Sequence, residues 1–185
     1  MARIKLHDQE SVADPEILGI FAWVTEMEGK VPNHFLLELN FPEFMKAKLG
    51  ATKVLWEMGE LSKEQIQHIG ILVSRANGCP YCTGAFCTIL SHGLNASKQY
   101  VDELVDAGVG AVEEAALRKL LEFALKVNDD PKSIADADVS ALREEGYTDK
   151  GILQIVHLVS DFASYNKLNL AMDTDYDYEQ FGTGE

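Results

Sequence analysis

Two cysteines, Cys79 and Cys82, stand three residues apart in the segment 77–87, which reads NGCPYCTGAFC. Pro80 directly after Cys79 is typical of the first position of a helix, which makes Cys79 the N-cap and puts Cys82 in the first turn. Unpaired backbone N–H groups and the positive end of the helix dipole favour a thiolate over a thiol there. The spacing also lets the two sulfurs close a disulfide across one turn, so the segment predicts a redox-active pair.

A zinc site is the alternative interpretation of the same segment. Cys79, Cys82, Cys87 and His92 follow the pattern C-x2-C-x4-C-x4-H, which supplies four soft ligands. However, residues 83–90 read as one continuous helix, which puts Cys87 about 140° around the axis from Cys82 and His92 about 15 Å further along. Four ligands so placed do not converge on one ion, so no metal or other cofactor is predicted. Cys87 is expected to be a small buried hydrophobe.

Composition and charge narrow the class of protein. The 185 residues include 16 Lys and Arg against 30 Asp and Glu, a formal net charge of −14. Such a surface repels nucleic-acid backbones and anionic lipid, so neither is an expected partner. No apolar run approaches the roughly 18 residues that a membrane span needs, and residues 1–10 show no signal-peptide core. With three cysteines, an odd count unlike a disulfide scaffold, the sequence predicts a cytoplasmic protein.

Helical periodicity runs from end to end of the chain. Ser62 followed by Gln65 matches a capping box before the buried stripe of the next helix. Thr148 caps the last and longest helix, and no alternating strand pattern or Pro/Gly/Ser linker appears. The sequence therefore predicts one all-α domain over residues 1–185, with terminal arms at about 1–12 and 173–185.

Other residues capable of chemistry carry no pattern that links them to the cysteines. His34 has no partner pattern, and His157 is expected to be a hydrogen-bonded core histidine of the apolar last helix. The acidic run 173–179 lacks the ligand order of an EF-hand, so we expect a solvated tail or an arm that packs Tyr176 and Tyr178 on a partner subunit. Four aromatic residues are most simply core or subunit contacts: Trp23, Phe35, Phe44 and Trp56.

Several segments together resemble the alkylhydroperoxidase D-like, or carboxymuconolactone decarboxylase, superfamily, and most closely its peroxidase-related branch. They are GKVPN at 29–33, NFPE at 40–43, the helix and C-P-Y-C turn at 61–82, DADVSAL at 136–142, GYTD at 146–149 and YNKL at 165–168. The resemblance covers most of the chain. It implies an all-α, AhpD-like single-domain helical bundle with the C-x-x-C at a helix N-terminus. It also implies a homo-oligomer whose cysteine pair reduces hydroperoxides.

The proton relay of that family does not carry over to this chain. The family places a glutamate twelve residues before the first cysteine and a histidine four after the second, positions occupied here by Gln67 and Phe86. Neither side chain ionises, and a phenyl ring one turn past Cys82 makes the site drier, which raises a thiol pKa. Glu64 and His68 are candidates to substitute as acid or base. A solvated first-turn acid and a surface or subunit-contact histidine remain the favoured interpretations of these two.

The sequence leads to three hypotheses about the function of the protein. The first is a thiol-dependent oxidoreductase in which Cys82 attacks a small hydroperoxide or a disulfide, Cys79 resolves it, and a thiol protein supplies electrons. The second is a catalytically degenerate relative that acts as a binding or scaffold protein or a redox sensor, because Gln67 and Phe86 replace the relay. Lactone decarboxylation is less favoured, since in the family that chemistry needs no C-x-x-C.

Overall fold

The computed structural model describes residues 1–182, which form nine α-helices and contain no β-strand. The prediction of an all-α fold is confirmed. The helices are α1 Pro15–Glu28, α2 Asn33–Glu38, α3 Pro42–Glu57, α4 Lys63–Ala76, α5 Pro80–Thr88, α6 Lys98–Ala107, α7 Ala115–Asp129, α8 Asp136–Glu144 and α9 Asp149–Met172. No helix in this part of the chain is long and apolar enough to cross a membrane.

Local sequence signals fix several helix ends. Ser62 Oγ accepts the Gln65 N–H at 3.1 Å while Gln65 Oε1 accepts the Ser62 N–H at 2.9 Å, which completes the expected capping box of α4. Thr148 caps α9 as expected, since its hydroxyl accepts the N–H groups of Lys150 and Gly151. Each cap satisfies backbone donors that the first turn leaves unpaired, so the helix starts are set by short-range chemistry.

Helix α4 is the centre of the larger core. It is buried along most of its length and packs against α5, α7 and α9. A second apolar cluster joins α1, α2 and α3 around Phe21, Phe35 and Met45. Helices α5 and α9 face this smaller cluster across a cavity described below, so the C-x-x-C helix lies at the boundary between the two cores.

Two details of the sequence interpretation need correction. The sequence predicts one continuous helix over residues 83–90, but α-helical geometry ends at Thr88 and a π-helical turn covers Ile89–Gly93. His157 is exposed, so the prediction of a core histidine is wrong. The apolar stripe of α9 passes beside it on Ile155 and Leu158, which shows that the periodicity was right and only the face assigned to His157 was not.

The segment after α9 folds back on its own chain. Residues 174–182 are not helical, and Tyr178 and Asp177 lie against α1 and α5. The partner-subunit arm proposed for Tyr176 and Tyr178 is therefore not needed to explain these two residues. Positions 183–185 of the expected arm lie outside the described residues. Homo-oligomerisation stays a prediction.

Candidate redox site

The C-x-x-C turn has the geometry that its sequence predicts. Cys79 is the N-cap of α5, and its Sγ accepts the Cys82 N–H at 3.3 Å. The two residues form a disulfide with a Cα–Cα distance of 5.5 Å. Both are buried, with exposed fractions of 1% and 3%. The pair is therefore a buried disulfide at a helix N-terminus rather than a surface disulfide.

A cavity of about 70 Å³ borders one of the two sulfurs. Cys82 is part of its lining and Cys79 is not, so the two cysteines are not equivalent toward a bound molecule. Most of the lining is apolar or aromatic, and it includes three of the aromatic residues that the sequence assigned to packing. The lining comprises Trp23, Met27, Glu28, His34, Phe35, Leu49, Thr52, Trp56, Tyr81, Cys82, Ala85, Phe86, Ile89, Phe162, Tyr165, Asn169 and Tyr178. Phe44, the fourth aromatic residue, is 53% exposed.

A polar side chain from α9 contacts the cavity-facing sulfur. Asn169 Nδ2 donates to Cys82 Sγ at 3.4 Å, and the same amide lies 3.1–3.2 Å from His34 Nδ1. His34 Nε2 is 3.7 Å from the Glu38 carboxylate. Burial lowers the pKa of His34 to about 4, so the imidazole is neutral at physiological pH. A neutral histidine thus orients an amide whose N–H points at the sulfur.

A carboxyl group from α1 lines the same cavity. The Tyr178 hydroxyl donates to Glu28 Oε2 at 2.6 Å. Burial raises the pKa of Glu28 to about 8, with the Tyr178 hydrogen bond acting in the opposite direction. Glu28 is therefore mostly protonated at neutral pH, and it can give up a proton inside an apolar cavity.

The C-terminal segment contacts the site through Tyr81, one of the two residues between the cysteines. The Tyr81 hydroxyl accepts the His34 backbone N–H at 2.9 Å and donates to Asp177 Oδ1 at 2.9 Å. Lys30 Nζ lies 2.9 Å from the Asp177 carboxylate. The ring of Tyr178 then packs edge-on against that of Tyr81, with centroids 5.1 Å apart. Asp177 and Tyr178 thereby fix Tyr81, and Tyr178 forms part of the cavity wall.

The two positions that correspond to the family relay carry side chains that cannot exchange a proton. The Phe86 ring packs on Gly70, where an added Cβ would approach it to 2.5 Å, and on Phe162, with centroids 4.5 Å apart. Gln67, one turn earlier on α4, is completely buried, and neither polar atom of its side chain has a hydrogen-bond partner. Because Gly70 lacks a side chain, the phenyl ring fits where a bulkier α4 residue would exclude it.

The suggested substitutes for the relay do not reach the cavity. The Glu64 side chain is exposed, and the Glu64 backbone carbonyl oxygen lies 2.8 Å from His68 Nδ1. His68 is fully buried, with Nε2 2.7 Å from the Tyr100 hydroxyl of α6. The expectation of a surface histidine was therefore wrong, because its ring bridges α4 and α6. Neither residue lines the cavity.

The four residues of the zinc alternative do not converge in the structure. Cys79 and Cys82 are bonded to each other, and Cys87 is fully buried in the larger core. Burial raises the pKa of Cys87 to about 12, so it remains a thiol. His92 is exposed and lies 3.3 Å from the Glu179 carboxylate.

Sequence reasoning missed the groups that surround Cys82, namely Glu28, His34 and Asn169. Glu28 stands at the C-terminal end of α1 and His34 near the start of α2, both more than 40 positions before Cys82. Asn169 directly follows the YNKL segment, and GKVPN at 29–33 separates Glu28 from His34, but neither segment marks these residues as neighbours of Cys82. No spacing rule connects residues that separate helices bring to one point, so only packing could reveal them.

Comparison with known proteins places this geometry in context. No protein-family model and no curated protein matches the sequence. A solved structure from Ralstonia eutropha, described as an alkylhydroperoxidase AhpD core and an uncharacterized peroxidase-related protein, is 26% identical with a TM-score of 0.85. An uncharacterized peroxidase-related protein from a Silicibacter species is also 26% identical, with a TM-score of 0.80. Each match covers 95% of this chain and 92% of the other.

A third structure shares the fold at lower identity. The debrominase Bmp8 in complex with 2,3,4-tribromopyrrole is 19% identical, with a TM-score of 0.80 over 96% of this chain and 94% of the other. All three similarities cover at least 95% of this chain. The resemblance noted in the sequence is thus confirmed at the level of the fold, and this chain has the alkylhydroperoxidase D core fold of the AhpD-like superfamily.

Proposed function

We propose that the protein is a thiol-dependent oxidoreductase that reduces small hydroperoxides or disulfides through Cys79 and Cys82. One observation carries this proposal: Cys82 borders an apolar cavity, and its disulfide partner Cys79 does not. A molecule in the cavity meets Cys82, while Cys79 is positioned to resolve the product from the other side. The peroxidase-related structures of the same fold support the assignment.

With a hydroperoxide, the Cys82 thiolate attacks the terminal oxygen, so an S–O bond forms as the O–O bond breaks. The leaving alkoxide takes a proton and departs as an alcohol, leaving Cys82 as a sulfenic acid. The Cys79 thiol then displaces the hydroxyl group, which leaves as water after taking the thiol proton, and the disulfide forms. A thiol reductant, such as a partner dithiol protein, restores both thiols by exchange and becomes a disulfide itself.

With a disulfide substrate, the Cys82 thiolate forms a mixed disulfide and releases one thiolate. Cys79 then attacks the mixed disulfide and releases the second. This route breaks no O–O bond, and protons are needed only for the two leaving thiolates. The apolar cavity therefore favours hydroperoxides over bulky protein disulfides as the substrate held beside Cys82.

Glu28 is the proposed proton donor for the leaving alkoxide. It lines the cavity with Cys82, and burial raises its pKa to about 8. A carboxylic acid that is protonated near neutral pH can deliver a proton at the moment when the alkoxide forms. Solvent protons, including the one that Cys82 releases on becoming a thiolate, then recharge Glu28. Asn169 would stabilise the Cys82 thiolate through its N–H.

The test is peroxide consumption by the full-length, pre-reduced protein with dithiothreitol as the reductant. Cumene hydroperoxide and H2O2 are compared, with Cys82→Ser as the inactive variant and Cys87→Ser as the matched control. We expect fast consumption of cumene hydroperoxide by the wild type, loss in Cys82→Ser and retention in Cys87→Ser. Consumption no faster than that of a free thiol would favour the degenerate binding protein or redox sensor instead. Lactone decarboxylation remains the least favoured assignment.

A second candidate function is reductive dehalogenation of a small aromatic compound. The aromatic lining of the cavity favours a flat, apolar ring, and a debrominase with the same fold has been solved with a brominated pyrrole. In this reaction an aryl bromide and two thiols become the arene, bromide, a proton and the Cys79–Cys82 disulfide. Bromide release from tribromopyrrole, measured beside peroxide consumption, decides between the two substrates. Absence of bromide release would remove this candidate.

A further inference from the structure

Unsatisfied polar atoms concentrate at one place in the molecule. Among the described residues, four buried side-chain polar atoms lack a hydrogen-bond partner, and three of these belong to Gln67 and Trp56. They are Gln67 Nε2, Gln67 Oε1 and the indole Nε1. Both residues line a second cavity of about 250 Å³, distinct from the one beside Cys82. This cavity lies between α1, the end of α3, the start of α4 and the π-helical turn.

A fully buried amide with neither polar atom paired is unusual. More than about 90% of buried polar groups in native proteins have a partner, because an unpaired one forfeits its hydration without compensation. Gln67 has an exposed fraction of 0%, so bulk water does not reach its side chain. Gln67 lines the second cavity, so an occupant of that cavity is the nearest available partner for its amide. The Trp56 N–H, a second donor on a residue that lines the same cavity, also lacks a hydrogen-bond partner.

The second cavity adjoins the redox cavity. The two share Trp23, Met27, Trp56 and Ile89 as lining residues. One elongated molecule can therefore occupy both, with its reacting end beside Cys82 and its other end beside Gln67. The first cavity is mostly apolar, whereas the second offers the unpaired polar atoms.

The atoms present define the chemistry of that other end. The Gln67 amide and the Trp56 N–H provide donors, and Gln67 Oε1 provides an acceptor. One lysine and two glutamates also line the cavity, Lys63, Glu26 and Glu57, so its charge does not favour an anion. A neutral group that both accepts and donates hydrogen bonds, such as a hydroxyl or a carboxamide, satisfies all three unpaired atoms.

We propose that the second cavity binds a neutral hydroxyl- or carboxamide-bearing end of the substrate, with Gln67 and Trp56 as its hydrogen-bond partners. Gln67 then has a binding role at a position where the superfamily places a proton-relay glutamate. The substrate class becomes an apolar, often aromatic compound with a neutral polar group at the end remote from its reacting group. This assignment rests on the proposed function only in identifying the ligand as the substrate.

The experiment measures binding without turnover. Trp23 and Trp56 are the two tryptophans of the chain and both line the second cavity, so intrinsic fluorescence reports on it directly. The full-length, oxidised protein is titrated with 3-phenyl-1-propanol and with propylbenzene, which lacks only the hydroxyl. We expect the alcohol to bind roughly fivefold to tenfold more tightly, the range that one or two neutral hydrogen bonds supply.

Three variants test which residues cause the preference for the alcohol over propylbenzene. Gln67→Leu is expected to abolish the preference for the alcohol and, because it removes an unpaired buried amide, to raise Tm by roughly 2–4 °C. A purely structural Gln67 would instead give a lower Tm on the same substitution. Trp56→Phe keeps an aromatic ring, removes one donor and leaves Trp23 as the reporter, so it carries the test if Gln67→Leu does not fold. Gln99→Leu, on the exposed face of α6, is the matched control and is expected to behave as wild type.

Equal affinity for the two probes, binding of neither, or a preference that survives both substitutions would overturn the proposal. Equal affinity or no binding would mean that the cavity holds ordered water only, and a preference that survives both substitutions would mean that the alcohol binds elsewhere. The proposed redox function fails separately, through a wild type that consumes no peroxide in a Cys82-dependent manner. A protein that prefers the alcohol but has no turnover would retain this binding site and lose the proposed activity.

Discussion

The two sides of the site differ in the chemistry that they offer. On the α4–α5 side, where the superfamily places its relay, Phe86 packs on Gly70 and the adjacent Gln67 cannot ionise. On the opposite side, α1, α2 and α9 supply Glu28, His34 and Asn169. Neither of the two residues on the first side can exchange a proton. The second side provides the Glu28 carboxyl group and the Asn169 N–H that donates to Cys82 Sγ. The polar groups that the proposed reaction uses beside Cys82 therefore come from α1 and α9 and not from the positions of the family relay.

In the proposed reaction, the proton donor is therefore defined by its access to the reacting atoms and not by its place in a motif. The helix start that activates a thiolate depends on residues 79–82 alone. The acid needs only to face the same cavity, and any helix that lines the cavity can provide it. The following predictions alter one side at a time, and they are ordered from the largest expected effect to the smallest.

Glu28→Gln is expected to have the largest effect on the rate. It keeps the size of the side chain but removes the transferable proton, so hydroperoxide turnover should fall by roughly a hundredfold. Because burial raises the pKa of Glu28 to about 8, the wild-type rate should decline as the pH rises through that value. The measurement is kcat/KM for cumene hydroperoxide from pH 6 to pH 10, with Glu28→Gln lacking the alkaline decline.

The matched control for Glu28 is Glu43→Gln, which changes an exposed first-turn glutamate of α3. It is expected to leave both the rate and its pH profile unchanged. If Glu28→Gln retained the wild-type rate while Cys82 remained essential, the α1 side would not provide the acid. The contrast between the two sides would then reduce to thiolate stabilisation alone.

Asn169→Leu is expected to have an intermediate effect. Loss of the N–H that reaches Cys82 Sγ should raise the pKa of that thiol and slow the attack by about tenfold. Thiolate absorbance in a Cys79→Ser background reports Cys82 alone, since burial holds the pKa of Cys87 at about 12. The same Cys82 titration curve with and without the substitution would show that Asn169 only packs against the sulfur.

Restoring the family relay is expected to have the smallest effect on turnover. Gln67→Glu combined with Phe86→His puts ionisable groups on the α4–α5 side, yet the second residue lies among Gly70 and Phe162 with no polar partner. We expect turnover of hydroperoxide to change by less than about threefold and Tm to fall, because a buried polar ring replaces a packed phenyl group. A large gain in turnover would indicate a degenerate enzyme whose missing relay was its main deficiency.

Much of the fold followed from local sequence signals. Pro80 after Cys79 marked the start of α5, and the Ser62–Gln65 capping box marked that of α4. These signals act within one helical turn, so they can be read without knowledge of packing. The end of α5 and the face of His157 were misjudged because they depend on which neighbours pack beside them.

The sequence by itself determined the all-α character of the protein, the C-x-x-C pair at a helix N-terminus and the absence of ionisable side chains at positions 67 and 86. Only the tertiary structure decided that Cys82 rather than Cys79 borders a cavity and that Glu28 and Asn169 lie beside that cavity. It also decided that Gln67 is buried without a partner. The physical reason is range: capping and periodicity act over a few residues, whereas a cavity is the space left where α1, α2, α3, α5 and α9 pack together.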